Sequence, residues 1–131
     1  MRETDAGALM TEPVLTVEPS AGIPEIADAM RSQGINSIVA IDDDCRPVGI
    51  LTSTDFVGIV ADGTEDGTVG DHMTEEVVTA LPDTPVRAAA ELMLEHDISH
   101  VPVVENGEAV GLVSATDLTN HVAGAVADAT E

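Results

Sequence analysis

Two near-copies of a polar heptad stand in this chain: "GILTSTD" at Gly49–Asp55 and "GLVSATD" at Gly111–Asp117. In each, a glycine and two aliphatic residues run into hydroxyl side chains and a closing aspartate. The apolar half reads as a strand, and the aspartate is expected to open a helix. A helix N-terminus carries unpaired N–H groups and partial positive charge, so it suits a phosphate even where cationic side chains are missing. Thr52, Ser53 and Thr54, or Ser114 and Thr116, add hydroxyl donors at that junction. The carboxylates of Asp55 and Asp117 are acceptors for the two hydroxyls of a ribose diol. The same residue types are also the favoured helix N-caps. The residues alone leave both readings open, a structural cap or a site for a phosphorylated sugar.

Other chemistries find less support. His72, His96, His100 and His121 form no pair with ligand spacing on one element, so no metal site is expected. Cys45 sits in the turn "DDDCRPV", where carboxylates disfavour a thiolate and only Arg46 opposes them. The run Asp42–Asp44 reads as a solvated turn rather than a cation site. No nucleophile is paired with a base, so no catalytic residue is assigned and the chain is not expected to be an enzyme. Met10, Met30, Met73 and Met93 recur at equivalent places in the two halves, which points to core packing.

The elements that must position the heptads come from an internal repeat. "LMTEPVLTVEPSAGIPEIADAMRSQGINSIVAID" at Leu9–Asp42 aligns with "HMTEEVVTALPDTPVRAAAELMLEHDISHVPVVE" at His72–Glu105. The copies are expected over 9–60 and 72–123, with an N-terminal extension 1–8, a glycine-rich acidic linker 61–71 and an acidic tail 124–131. Each copy opens with a short extended piece, "PVLTV" or "VVTAL". A helix follows, with Ile23, Ile26, Ala27 and Met30 on one face and Gly34 closing it. In the second copy Asp83 is the expected N-cap, Pro85 lies in the first turn, and Val86, Ala90, Met93 and Leu94 share a face. Two strands then join through "DDDCR" or "NGE", the Asn-Gly pair being a hairpin signal. A last helix carries Phe56, Ile59 and Val60, or Leu118, Val122 and Val126. The order strand–helix–strand–strand–helix, repeated, makes the fold class α+β. Pro102 lies within the strand "VPVV", where Val39 stands in copy one, and a proline there marks backbone that is not fully paired. That is compatible with an edge strand or with a surface for a flat aromatic ligand.

At 131 residues the chain forms one compact unit, and an apolar fraction of 44% says that it folds. Its 25 acidic residues face four arginines and no lysine, for a net charge of −21. A folded protein with an almost wholly acidic surface is self-repelling unless salt screens it, which implies a salt-loving cytoplasm. Nucleic acid and anionic membrane are poor partners for such a surface. One cysteine fits a reducing compartment, no apolar run reaches a membrane span, and the N-terminus lacks the apolar core of a signal peptide. A cytoplasmic location is the expectation.

The repeat, the two G-aliphatic-x-[ST]-x-[ST]-D motifs and "ISHVPVV" before the second hairpin resemble a tandem pair of CBS domains, the Bateman module, from about Leu9 to Val122. The resemblance implies two repeats packed as a pseudo-two-fold disc with two clefts. It implies non-catalytic regulation by adenosyl ligands such as AMP, ADP, ATP, S-adenosylmethionine or NAD, and association into a homodimer that acts on an effector protein. By this resemblance one cleft uses Thr52, Thr54 and Asp55 with Val77, Val78, Ile98, Ser99 and His100. The other uses Ser114, Thr116 and Asp117 with Val14, Leu15, Ile35, Asn36 and Ser37. The aspartates would hold ribose hydroxyls, the hydroxyl residues phosphate, and the aliphatics the adenine faces. Members that bind nucleotides tightly often place basic residues where this chain has Ser99 and His100, or Asn36 and Ser37. His100 alone can become cationic, so the first cleft is expected to bind phosphorylated ligands better. ATP, the most anionic candidate, would need Mg²⁺ or high salt. The alternative is a ligand-free adaptor acting through association of its apolar helices.

Overall fold

The computed structural model describes residues 4–11, 14–75 and 77–129, with side chains through residue 124. Helices and strands follow the order α1 (Ala6–Leu9), β1 (Thr16–Val17), α2 (Ile23–Gln33), β2 (Ser37–Ile41), β3 (Pro47–Thr52), α3 (Ser53–Asp62), α4 (Val69–His72), α5 (Val86–His96), β4 (His100–Glu105), β5 (Glu108–Ser114) and α6 (Ala115–Ala129). The α+β class is as the sequence implies and copy one shows the expected order, but copy two lacks its expected first strand and the short helices α1 and α4 are additions. The chain divides into two units rather than the one compact unit expected from its length. One holds Val14–Val77 with Gly107–Ala109, and the other holds Met1–Pro13, Val78–Asn106 and Val110–Glu131.

In the unit built on copy one, β1 runs parallel to β2, pairing Thr16 with Val39 and Val17 with Ala40. Strands β2 and β3 are antiparallel, with Ile38 opposite Leu51 and Val39 opposite Ile50. Their connection is organised by Asp42, whose Oδ1 accepts from the amides of Asp44 (2.9 Å) and Arg46 (3.0 Å). The acidic run is therefore a self-bonded turn, with Cys45 left-handed at φ 63°. Ile23, Ile26 and Met30 of α2 pack with Ile38, Ala40, Leu51, Ile59 and Val69 as one core. Gly34 closes α2 in the left-handed region at φ 66°, where a Cβ would be strained.

In the other unit β4 and β5 form a two-stranded sheet. The extended piece before α5 adds only a single parallel bridge, Ala80 to Val103. The cause is Pro102. In copy one the Val39 amide donates to the Leu15 carbonyl at 3.0 Å, and the equivalent bond would run from residue 102 to the Val78 carbonyl. Proline has no N–H to give, so among the described residues the ladder keeps the bonds Ala80 N–H to Pro102 O and Val104 N–H to Ala80 O. The hairpin tip is Asn106-Gly107, both residues at positive φ (56° and 84°) as a tight primed turn requires. The core here joins Ala6, Ala80, Met93, Val101, Val103 and Val113.

Each unit is completed by the segment that leads into the other copy. Helix α1 precedes copy one, yet Ala6 N–H donates to Thr84 O (2.7 Å) and Gly7 N–H to Pro82 O (2.8 Å). Helix α4 precedes copy two, yet Val69 N–H donates to Ala21 O (2.9 Å) and Gly70 N–H to Pro19 O (2.8 Å). Met10 then lies over Gly111 and Met73 over Gly49, each where a Cβ would collide with the methionine side chain. Next along the chain, Thr11 forms an antiparallel bridge with Leu112, and Thr74 with Ile50.

This exchange revises several expectations. Asp83 does not cap α5, which starts at Val86 with Pro85 at its N-cap and no side-chain bond. The Val86 amide instead donates to the carbonyl of Thr4, as the Ile23 amide of α2 donates to Gly67. The last helix of each copy opens at Ser53 or Ala115, so Asp55 and Asp117 sit in the first turn and do not begin it. Helix α3 reaches Asp62 and α4 begins at Val69, so the connecting stretch is shorter than 61–71. Helix α6 continues through Ala129, beyond the expected end of copy two. Leu94 is 84% exposed, Val60 66% and Val122 61%, so none of the three belongs to a core face. Ala89 takes the buried place on α5 that Leu94 was expected to share. The side chain of Val126 lies outside the described residues.

Candidate ligand-binding site

At the first heptad, Thr52 is the N-cap of α3 and Asp55 the third helical residue. The Thr52 amide donates to Asp55 Oδ2 at 2.8 Å, and Thr52 Oγ1 donates to the same oxygen at 3.2 Å. The Asp55 amide is satisfied in return by the Thr52 side chain, which makes a complete capping box. The Ser53 amide donates to the Asn36 carbonyl (2.9 Å), so the strand end is pinned to the segment before β2. Thr54 lies exposed at the second position of the helix, between these two fixed points.

The second heptad repeats this with a serine. The Ser114 amide donates to Asp117 Oδ2 (2.8 Å), and the Asp117 amide donates to Ser114 Oγ (3.1 Å). The Ala115 amide donates to the carbonyl of Ser99, the residue equivalent to Asn36. One contact has no counterpart at the first heptad among the described residues: the Thr11 hydroxyl lies 3.4 Å from both Asp117 Oδ1 and Oδ2.

Capping thus occupies part of what a ligand was expected to use. Thr52 Oγ1 and Ser114 Oγ face their own helices, while Thr54 and Thr116 are exposed; Ser53 is exposed too, but its hydroxyl donates to the Asn36 carbonyl at 3.3 Å. Both aspartates are half-buried. Of the other expected residues, Val14, Leu15, Ile35, Val77, Val78, Ile98 and His100 are half-buried, Asn36 and Ser99 exposed, and Ser37 buried within β2. Ser99 Oγ and His100 Nδ1 are hydrogen-bonded at 3.0 Å. Within the copy-one unit, Ile35 and Ser53 line an open, mostly apolar cavity of about 300 Å³ with Ala27, Met30, Arg31 and Phe56. The roles of Asn36 and Ser99 as carbonyl anchors, and the reach of Thr11 to Asp117, escaped the sequence reading. The recurrence of Met-Thr at 10–11 and 73–74 was their only trace there.

Among the described residues no three His, Cys, Asp or Glu side chains gather as a metal site, and no helix is long and apolar enough to cross a membrane. Residues 6–62 and 69–124 each match the CBS domain. The chain belongs to the CBS domain family. The matched segments begin at the first residues of α1 and α4, three residues before each expected repeat start, so a CBS repeat includes the short helix that its neighbour receives. The CBS domain pair of protein MJ0100, solved with 5-methylthioadenosine and S-adenosyl-L-methionine, is similar at a TM-score of 0.87 and 31% identity, covering 94% of this chain and 98% of that one. The CBS domain protein PAE2072 from Pyrobaculum aerophilum, complexed with AMP, is similar at 0.80 and 32%, covering 87% and 89%. A curated relative, an uncharacterized 17.7 kDa protein of Acidianus ambivalens, is 34% identical over 116 residues, which are 88% of this chain and 71% of that protein. The chain spans 62% of another curated relative and about a quarter of several larger ones.

Proposed function

We propose that this CBS pair is a non-catalytic sensor of adenosyl ligands, AMP and S-adenosylmethionine foremost, held at the two heptad junctions. The observation that carries the reading is the paired heptad geometry in a chain that is 31% and 32% identical to CBS pairs solved with such ligands. A half-buried carboxylate beside an exposed threonine hydroxyl at a helix start offers a diol acceptor and a phosphate donor together. The Val78 carbonyl, which among the described residues receives no ladder bond because Pro102 has no N–H, offers an acceptor for an exocyclic amino group. The expected contacts are Thr52, Thr54, Asp55, Val77, Val78, Ile98, Ser99 and His100, and Ser114, Thr116, Asp117, Val14, Leu15, Ile35, Asn36 and Ser37. ATP would enter with Mg²⁺ or in high salt, since its charge meets a chain of 25 acidic residues and four arginines.

Signalling would follow from differential affinity: a ligand that prefers one arrangement of the protein populates it. The listener would be an effector protein in a cytoplasmic setting, met by a homodimer. A thermal-shift panel of AMP, ATP, S-adenosylmethionine and NAD at high salt tests the reading. A ligand at 100 times its Kd should stabilise by about 2.7 kcal/mol. A flat response across the panel would favour the second reading, an adaptor that works through association. That reading draws on the exposed apolar side chains of Val57 and Val60 on α3, Leu94 on α5 and Val122 on α6.

A further inference from the structure

The two heptads differ in how their carboxylates are engaged: Asp55 takes its hydroxyl donor from within the heptad, Asp117 from Thr11. The Thr11 hydroxyl lies 3.4 Å from Asp117 Oδ1 and equally far from Oδ2, so it covers the edge between the two oxygens. Neighbouring hydroxyls of a diol would approach a carboxylate along that same edge, one to each oxygen. Asp55 stands otherwise. Among the described residues its side chain receives donors only from Thr52, both on Oδ2. Thr74 holds the place equivalent to Thr11 and makes the same backbone bridge, to Ile50 rather than Leu112. Among the described residues, however, no Thr74 hydroxyl bond reaches Asp55.

We propose that Thr11 is an internal competitor for the second site: its hydroxyl stands in for a ligand diol on Asp117, so the Asp55 site fills first. The proposal rests on the reading of the heptads as adenosyl sites. At Asp55 the hydroxyl donor, Thr52 Oγ1, sits on Oδ2 and leaves Oδ1 open, whereas a ligand diol at Asp117 must displace Thr11 from the edge between both oxygens, and the net worth of such a bond corresponds to a factor of about 2 to 10 in affinity. The pair would then respond to its ligand over a wider concentration range than two equal sites would. Thr11 lies in the segment exchanged into the copy-two unit, so the occupancy of one heptad is tied to the seating of that segment.

Isothermal titration of the full chain with AMP, and separately with S-adenosylmethionine, tests this. The wild type is expected to bind in two steps, the tighter lost in Asp55→Asn and the weaker in Asp117→Asn. Thr11→Val, which keeps the shape and removes the hydroxyl, should strengthen the weaker step by about 2- to 10-fold. Thr74→Val should leave both steps unchanged. Thr11→Ala is the second variant should the branched side chain disturb folding, which a melting curve reports. Two steps that each vanish with their own aspartate, yet stay unmoved in Thr11→Val and Thr11→Ala, would overturn the role of Thr11 and leave the adenosyl reading standing. No binding heat from either compound in any variant would overturn both.

Discussion

Met73 lies on Gly49 in the copy-one unit, and Met10 lies on Gly111 in the other, so each heptad glycine is the seat of a methionine from the opposite copy's leader. A hydrogen at Cα is what lets the methionine reach the sheet. Gly49→Ala is therefore expected to push Met73 off its seat and destabilise the protein by about 1–3 kcal/mol, the usual cost of overpacking. Urea unfolding of Gly49→Ala, Met73→Ala and the double variant checks this. The double variant should be less damaged than the sum of the singles.

Ala6 is 1% exposed and belongs to the core of the copy-two unit, although it stands before copy one. Replacing it with aspartate buries an unpaired charge and is expected to cost several kcal/mol. Hydrogen exchange should show where. Protection is expected to fall in β4, β5 and α5, with β2 and β3 holding theirs; loss confined to β2 and β3 would refute the exchange.

Pro102 withholds the N–H that Val39 supplies in copy one. Pro102→Val should restore a ladder bond to the Val78 carbonyl, visible as a slowly exchanging amide at position 102. If that carbonyl receives the ligand, the same variant should bind AMP several-fold more weakly.

Asp71 has its carboxyl held below its ordinary value of 3.8 by the Thr68 amide and hydroxyl, with the His72 charge adding to them. A depressed carboxyl contributes stability that is present above 3.8 and lost as pH falls through the lower folded-state value. NMR titration should therefore place the Asp71 midpoint below 3.8, and Thr68→Val, which removes the hydroxyl, should raise it.

With 25 acidic residues against four arginines, self-repulsion opposes folding. The melting temperature is expected to rise steeply between about 0.1 and 1 M salt, where the Debye length shrinks from about 10 to 3 Å. A flat salt dependence would contradict this.

Periodicity carried the element order, because a helix face such as Ile23, Ile26 and Met30 and a turn such as Asn106-Gly107 are written in neighbouring residues. What escaped was set by residues far along the chain. Asp83 had the chemistry of a cap, but the carbonyl of Thr4 already served the Val86 amide. Leu94 had the right hydropathy, but the face it occupies is not covered within its unit. The helix starts fell earlier than expected because Asp55 and Asp117 work as the third residue of a capping pattern rather than its first. Gly7 and Gly70, at the same spacing as Met10 and Met73, were the sequence trace of the exchanged helices, and each seats its helix against a proline carbonyl.

Amide chemical shifts on titration with AMP at high salt test the central claim most directly. The account predicts saturable shifts at Thr52–Asp55, followed at higher concentration by Ser114–Asp117, and loss of the first set in Asp55→Asn. Saturable shifts that avoid both heptads, or survive unchanged in Asp55→Asn and Asp117→Asn, would contradict it.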